Sequence, residues 1–180
     1  MKVDDLISMK TYYIALGQFV EAFAFTEYDV KRTFAHVCGI SDDTSRAIFS
    51  GTRALEAIGL IRRVFESRGE KIGLEFNDAL SHLATINGTR NDLIHHSAFW
   101  AGDHMLMTNA LHQIRSRVKT AKLVIADLED MTADLGKIRS RLVLFMLGPN
   151  SVEPENLILD HTVAASMSWR YKPPQPIHDL

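Results

Sequence analysis

The sequence predicts an all-α protein: a bundle of four to five helices followed by an irregular C-terminal tail. Three observations carry that expectation. All five prolines lie at or beyond position 149, so none interrupts a helix in the first 148 residues. Alternation of β-branched with polar residues is scarce, while Ala, Leu, Met, Glu and Arg are abundant. Apolar residues recur at three- and four-residue spacings over long stretches. The chain therefore divides into a helical domain, 1–148, and an extended Pro-containing tail, 149–180.

The first helix is expected over about 4–38, with Thr26 as the point where a break would fall. Leu6, Ile7, Tyr12, Tyr13, Ile14, Leu16, Phe19, Val20, Phe23 and Phe25 make it apolar around most of its circumference. A helix of that kind is deeply buried, or packs a core on one side and a partner on the other. Gly39 stops it, and Ser41 with Asp42 and Asp43 caps a short segment ending at Phe49. After Ser50-Gly51-Thr52, Thr52 is the expected cap of a helix that carries Leu55, Ile58, Leu60, Ile61, Val64 and Phe65 and ends at Gly69. The next helix is expected from 71 to about 99, with Leu74, Phe76, Leu80, Leu83, Ile86, Leu93 and Ile94 toward the core. Asn87-Gly88 also reads as a turn, after which Thr89 and Asp92 would form a capping box; a continuous helix is the preferred reading. Met105-Leu106-Met107-Thr108 and the residues after it suit a short extended piece. The last helix, 125–147, places Leu128, Met131, Leu135, Ile138, Leu142, Phe145 and Met146 on one face. Its Asp127, Glu129, Asp130, Asp134, Lys137, Arg139 and Arg141 read as an outer charged face, acids early and bases late.

Composition narrows the function. Twenty Lys and Arg against 22 Asp and Glu leave a net charge of −2, which excludes nucleic-acid binding by bulk positive charge but not by a local patch. Arg115, Arg117, Lys119 and Lys122 form the densest basic stretch, suited to an RNA backbone or to a solvated connection before the last helix. The single cysteine, Cys38, excludes an internal disulfide framework and reads as a small packing residue. No apolar run reaches the roughly 18 residues of a membrane span. Two acids follow the first residues where a secretory signal would be basic, so a cytoplasmic location is expected.

One segment stands out for chemistry: Arg90-Asn91-Asp92-Leu93-Ile94-His95, inside a helical stretch. Asn91 and His95 are one turn apart and share a face. Arg90 begins about 140° away at about 100° per residue, within reach of a long side chain. Gly88 and Ala84 fall close to the His95 face, so small residues there would admit a second helix. Histidine exchanges protons near neutrality, arginine grips phosphate and offsets building charge, and asparagine orients either. That set suits RNA cleavage by the neighbouring 2′-hydroxyl, with no protein nucleophile. The adjacent His95-His96 pair diverges by about 100° and the other histidines are scattered, so no metal and no cofactor are expected.

The six residues from Arg90 to His95 resemble the R-x4-6-H motif of the HEPN superfamily, including the polar residue directly after the arginine. The resemblance implies an all-helical bundle and a homodimer in which two motifs form one composite site. It further implies metal-independent endoribonuclease activity of the toxin, phage-defence or RNA-processing kind, with an antitoxin or other protein as a further partner. On this likeness His95 is the acid or base, Arg90 the phosphate contact and Asn91 the orienting group. Arg115, Arg117 and Lys119 are the candidate RNA-backbone contacts. The upstream acid of some members has no assignable counterpart, Glu75 and Asp78 lying further back. Other HEPN proteins are inactive, so a non-catalytic dimer that binds a protein or nucleotide is the alternative. A helical interaction protein with an accidental motif is the third reading. The tail at 169–176 is extended by composition and offers aromatic anchors for the body or for a second protomer, though disorder fits the composition equally.

Overall fold

The computed structural model describes residues 3–95, 97–100, 104–108, 120–148 and 168–174. Its elements in chain order are α1 (Val3–Cys38), α2 (Asp42–Phe49), α3 (Ala54–Ser67), α4 (Leu74–His95), β1 (Ser97–Trp100), β2 (Met105–Thr108), β3 (Thr120–Leu123) and α5 (Ile125–Leu147). The protein is predominantly helical, with, among the described residues, one small antiparallel sheet in the order β1-β2-β3.

The long first helix does not break at Thr26. The Thr26 hydroxyl donates to the Ala22 carbonyl one turn back at 2.8 Å, so a residue able to disrupt the helix is absorbed into it. The stop comes at Gly39, with φ +69°. Gly39 N–H donates to His36 O and Ile40 N–H to Ala35 O, the paired bonds that close a helix on a left-handed glycine. Gly69 ends α3 in the same way, through Gly69 N–H to Glu66 O and Glu70 N–H to Phe65 O.

Helix starts are secured less uniformly. Ser41 caps α2 by accepting from Thr44 N–H at 3.2 Å. Thr52 does not cap α3. Arg53 stands at the N-cap, Glu56 folds back onto Arg53 N–H at 3.0 Å, and Glu27 of α1 accepts from Ala54 N–H at 2.9 Å. The first amides of α3 are thus satisfied by a carboxylate from another helix, which local capping rules do not reveal. At α5, Asp127 folds back onto Val124 N–H at 2.8 Å.

Among the described residues the core forms one cluster. Phe19, Phe23, Val30 and Phe34 of α1 meet Ile58 and Ile61 of α3, Phe76, Leu80, Leu83 and Ile86 of α4, and Leu128, Met131, Leu135, Ile138 and Leu142 of α5. Helix α1 packs most extensively on α5, which also receives α4. Phe76 and Phe145 stack with ring centroids 4.0 Å apart. Arg139 of α5 pairs with the buried Asp29 of α1 at 2.7 Å and lies over the Phe25 ring, tying these two helices together.

Helix α4 runs unbroken through Asn87 and Gly88 but ends at His95, short of the expected 99. From Ser97 the chain is extended, Ser97 pairing with Thr108 and Trp100 with Met105, while β2 pairs with β3 from Met105↔Leu123 to Thr108↔Thr120. Sheet pairing therefore takes over where helical pattern alone would continue. Met105 and Met107 alternate inward, and β3 passes into α5 after a single residue. The sheet so adjoins both the end of α4 and the start of α5. Among the described residues no helix is long and apolar enough to cross a membrane.

Candidate functional site at the end of the fourth helix

Arg90, Asn91 and His95 occupy the last two turns of α4, directly before the sheet. Arg90 is half-buried; its guanidinium donates from Nη1 to Asn91 Oδ1 at 3.1 Å and lies 5.4 Å from the centre of the Phe23 ring of α1. The long side chain has wrapped toward the Asn91 side of the helix, as the spacing allowed, and the aromatic face below it holds it there. His95 is exposed at the helix terminus, one turn beyond Asn91. Among the described residues no hydrogen bond joins His95 to Arg90 or Asn91. A single copy thus presents a fixed Arg-Asn pair and, one turn on, an accessible imidazole. Gly88, one turn before Asn91, is exposed, and a Cβ there would meet nothing within 4 Å.

A comparison with family models, curated proteins and solved structures found no match. Arg115, Arg117 and Lys119 lie outside the described residues. Lys122 is described and exposed on β3. Two clefts of about 470 and 520 Å³ lie between the ends of α1 and α5 beside the turn into α2, and between the start of α4 and α5; neither is lined by the motif residues. Among the described residues no group of three or more His, Cys, Asp or Glu is placed to hold a metal ion. Burial pushes the Cys38 thiol up, with a smaller opposing pull from Arg68, so it is poorly disposed to act as a thiolate.

The structure corrects one reading decisively. Asp134 does not belong to an outer charged face: its side chain is 0% exposed. Its Oδ2 accepts from His82 Nε2 at 3.0 Å and from Tyr171 N–H at 2.9 Å, while Oδ1 accepts from Lys137 Nζ at 3.1 Å. Burial alone would raise this carboxyl. Hydrogen bonds from the Tyr171 and Arg170 amides, Lys137 and His82 outweigh it and hold the group below its ordinary range. His82 is lowered, because loss of hydration outweighs the attraction of Asp134 and Asp78. A neutral ring donating from Nε2 satisfies both statements.

Tail residues close over this pair. Trp169 stacks on His82 with centroids 4.2 Å apart and planes 12° apart, donates from its indole nitrogen to Asp78 at 3.0 Å, and lies beneath the Arg141 guanidinium. Tyr171 is 2% exposed, its hydroxyl 2.6 Å from that of Thr89, and burial pushes its pKa up to about 12. The described part of the tail therefore lies on the body of its own chain. Asp78, one of the acids upstream of the motif, is committed to Arg141 and Trp169. With Trp169 and Tyr171 in place, His82 and Asp134 are covered, and their contacts join α4, α5 and the tail. A signal for them existed in the sequence. His82 sits within the Ala79-Leu83-Ile86 stripe and Asp134 within Met131-Leu135-Ile138, each a polar residue at an apolar helical position.

Proposed function

We propose that this chain is a HEPN-like homodimeric endoribonuclease that cuts RNA without a metal, in a toxin, defence or RNA-processing role. The observation that carries the reading is the Arg90-Asn91 pair, joined at 3.1 Å and seated on Phe23, one turn before an exposed His95. Two copies meeting at this end of α4 would supply two guanidinium groups and two imidazoles to one phosphodiester. One His95 removes the proton from the 2′-hydroxyl as its oxygen attacks phosphorus. The 5′-oxygen leaves and takes a proton from the other His95, giving a 2′,3′-cyclic phosphate and a 5′-hydroxyl. Arg90 offsets the charge that builds on the phosphoryl oxygens, and Asn91 holds its fork. Exposed Tyr13, Ile14 and Val20 on α1 and open space beside Gly88 leave apolar and small surface for the second copy.

The test is cleavage of mixed RNAs in EDTA by wild type, His95→Ala and Arg90→Ala. Wild type should leave cyclic phosphate ends, and each variant should lose at least about 100-fold in rate at unchanged helix content. Equal cleavage by wild type and both variants removes the mechanism. The second reading, a non-catalytic dimer that binds a protein or nucleotide, draws on the same bond, because Arg90 already spends part of its fork on Asn91. It predicts a dimer with no RNA turnover.

A further inference from the structure

The contacts of residues 168–174 have the character of a ligand in a receptor. Trp169 and Tyr171 point inward while Ser168, Arg170 and Lys172 are exposed, the alternation of an extended segment laid along a surface. Main-chain groups are read at three points: the Arg170 and Tyr171 amides by the Asp134 carboxylate, and the Ser168 carbonyl by Lys137 Nζ at 3.1 Å. Side chains are read at two. One slot is walled by the His82 ring and the Arg141 guanidinium, with Asp78 to accept the indole N–H. The other ends at the Thr89 hydroxyl. A fully buried carboxylate whose hydrogen bonds are completed by the main-chain amides of another segment binds that segment as an extended peptide is bound, through its backbone.

The connection to the body is long for its task. Nineteen residues, 149–167, separate Gly148 from Ser168. Their contour of roughly 60 Å greatly exceeds the roughly 15 Å from the end of α5 back to Lys137. The contacts of Trp169, Tyr171 and the main chain with α4 and α5 are what seat the segment in the groove.

We propose that the groove between α4 and α5 is a peptide-binding site for an extended Trp-x-Tyr segment, with the chain's own residues 168–174 as a resident, exchangeable occupant. An incoming peptide with the same aromatic pair takes the place of the tail. Because Tyr171 is anchored on Thr89, next to Arg90, exchange of the occupant reaches the neighbourhood of the α4 terminus. The proposal is independent of the nuclease reading.

The test uses the full-length chain carrying Trp169→Ala and Tyr171→Ala, titrated with a labelled synthetic peptide of residues 166–175. The doubly substituted chain should bind the peptide at least about tenfold more tightly than wild type, whose tethered tail competes at an effective concentration on the order of millimolar. Peptides lacking the Trp or the Tyr should bind at least about tenfold more weakly. No binding to the folded variant, or equal binding of the truncated peptides, overturns the proposal. If the variant does not fold, amide hydrogen exchange on wild type decides. Arg170 and Tyr171 amides should exchange at least about tenfold faster than core amides such as those of Leu83 and Leu135, reporting local release. Exchange at the core rate shows a permanently integrated segment and overturns it.

Discussion

Single residues separate two kinds of polar group in this protein. The shared face of Asn91 and His95 was legible from spacing alone, since one-turn neighbours on a helix share a face whatever surrounds them. The state of Arg90 was not: that it lies on Phe23 follows from the seating of α4 against α1. His82 and Asp134 show the converse, ordinary in the sequence and buried in the fold. Their protonation gives a stability prediction. His82 is lowered from 6.5, so the unfolded chain takes up the proton first; its contribution is present above pH 6.5 and is lost as the pH falls toward the lowered value. Asp134 is held below 3.8, so its contribution is present above pH 3.8 and disappears as the pH falls through its folded value. Both effects favour unfolding in acid. Urea midpoints measured from pH 7 to 3 should begin to fall near 6.5 and fall again below 3.8. A flat profile between 7 and 5 would show that His82 is not buried as the neutral ring. Tyr171 acts at the other extreme. Its pKa rises from 10.0 to about 12, so stability present below pH 10 is lost as the pH climbs toward 12.

The elements differ in how far each was determined locally. Helix α5 spans the residues expected of it, because its apolar period runs through the whole stretch and Gly148, at φ +74°, ends it. Helix α4 was expected to reach about 99 and ends at His95, since Ser97 to Trp100 gains strand partners that are distant in sequence. At α3 the local signal pointed to Thr52, whereas the first amide is satisfied from α1 by Glu27. Glu27→Ala should therefore destabilise the protein by about 1–2 kcal/mol through loss of a carboxylate cap. Thr52→Ala should have an effect below about 0.5 kcal/mol. Denaturant titration of the two variants checks this pair, and the reverse order would return the cap to Thr52.

At the scale of the whole molecule, the apolar character of α1 is only partly used by the bundle. Phe19, Phe23 and Phe34 are buried, while Tyr13, Ile14 and Val20 remain exposed on the side away from the core. If that side meets a second copy, Val20→Glu should weaken self-association at least about tenfold, by placing a charge in an apolar contact. Sedimentation of the variant beside wild type reads this directly. A dimer of unchanged strength locates the contact elsewhere, and a monomeric wild type removes the composite site from the proposed function.

The sequence by itself determined the helical class, the extents of α2 and α5, and the one-turn spacing of Asn91 and His95. These depend on proline placement, apolar period and glycine stops, which act over a few residues. Only the tertiary structure decided that Asp134 is interior, that Glu27 caps α3, that α4 yields to a sheet, and that Trp169 and Tyr171 close over His82. Each of those outcomes joins groups 27 to 91 residues apart or pairs strands across a connection. A buried polar group takes the partner that the packed fold brings to it, and no local pattern records which partner that is.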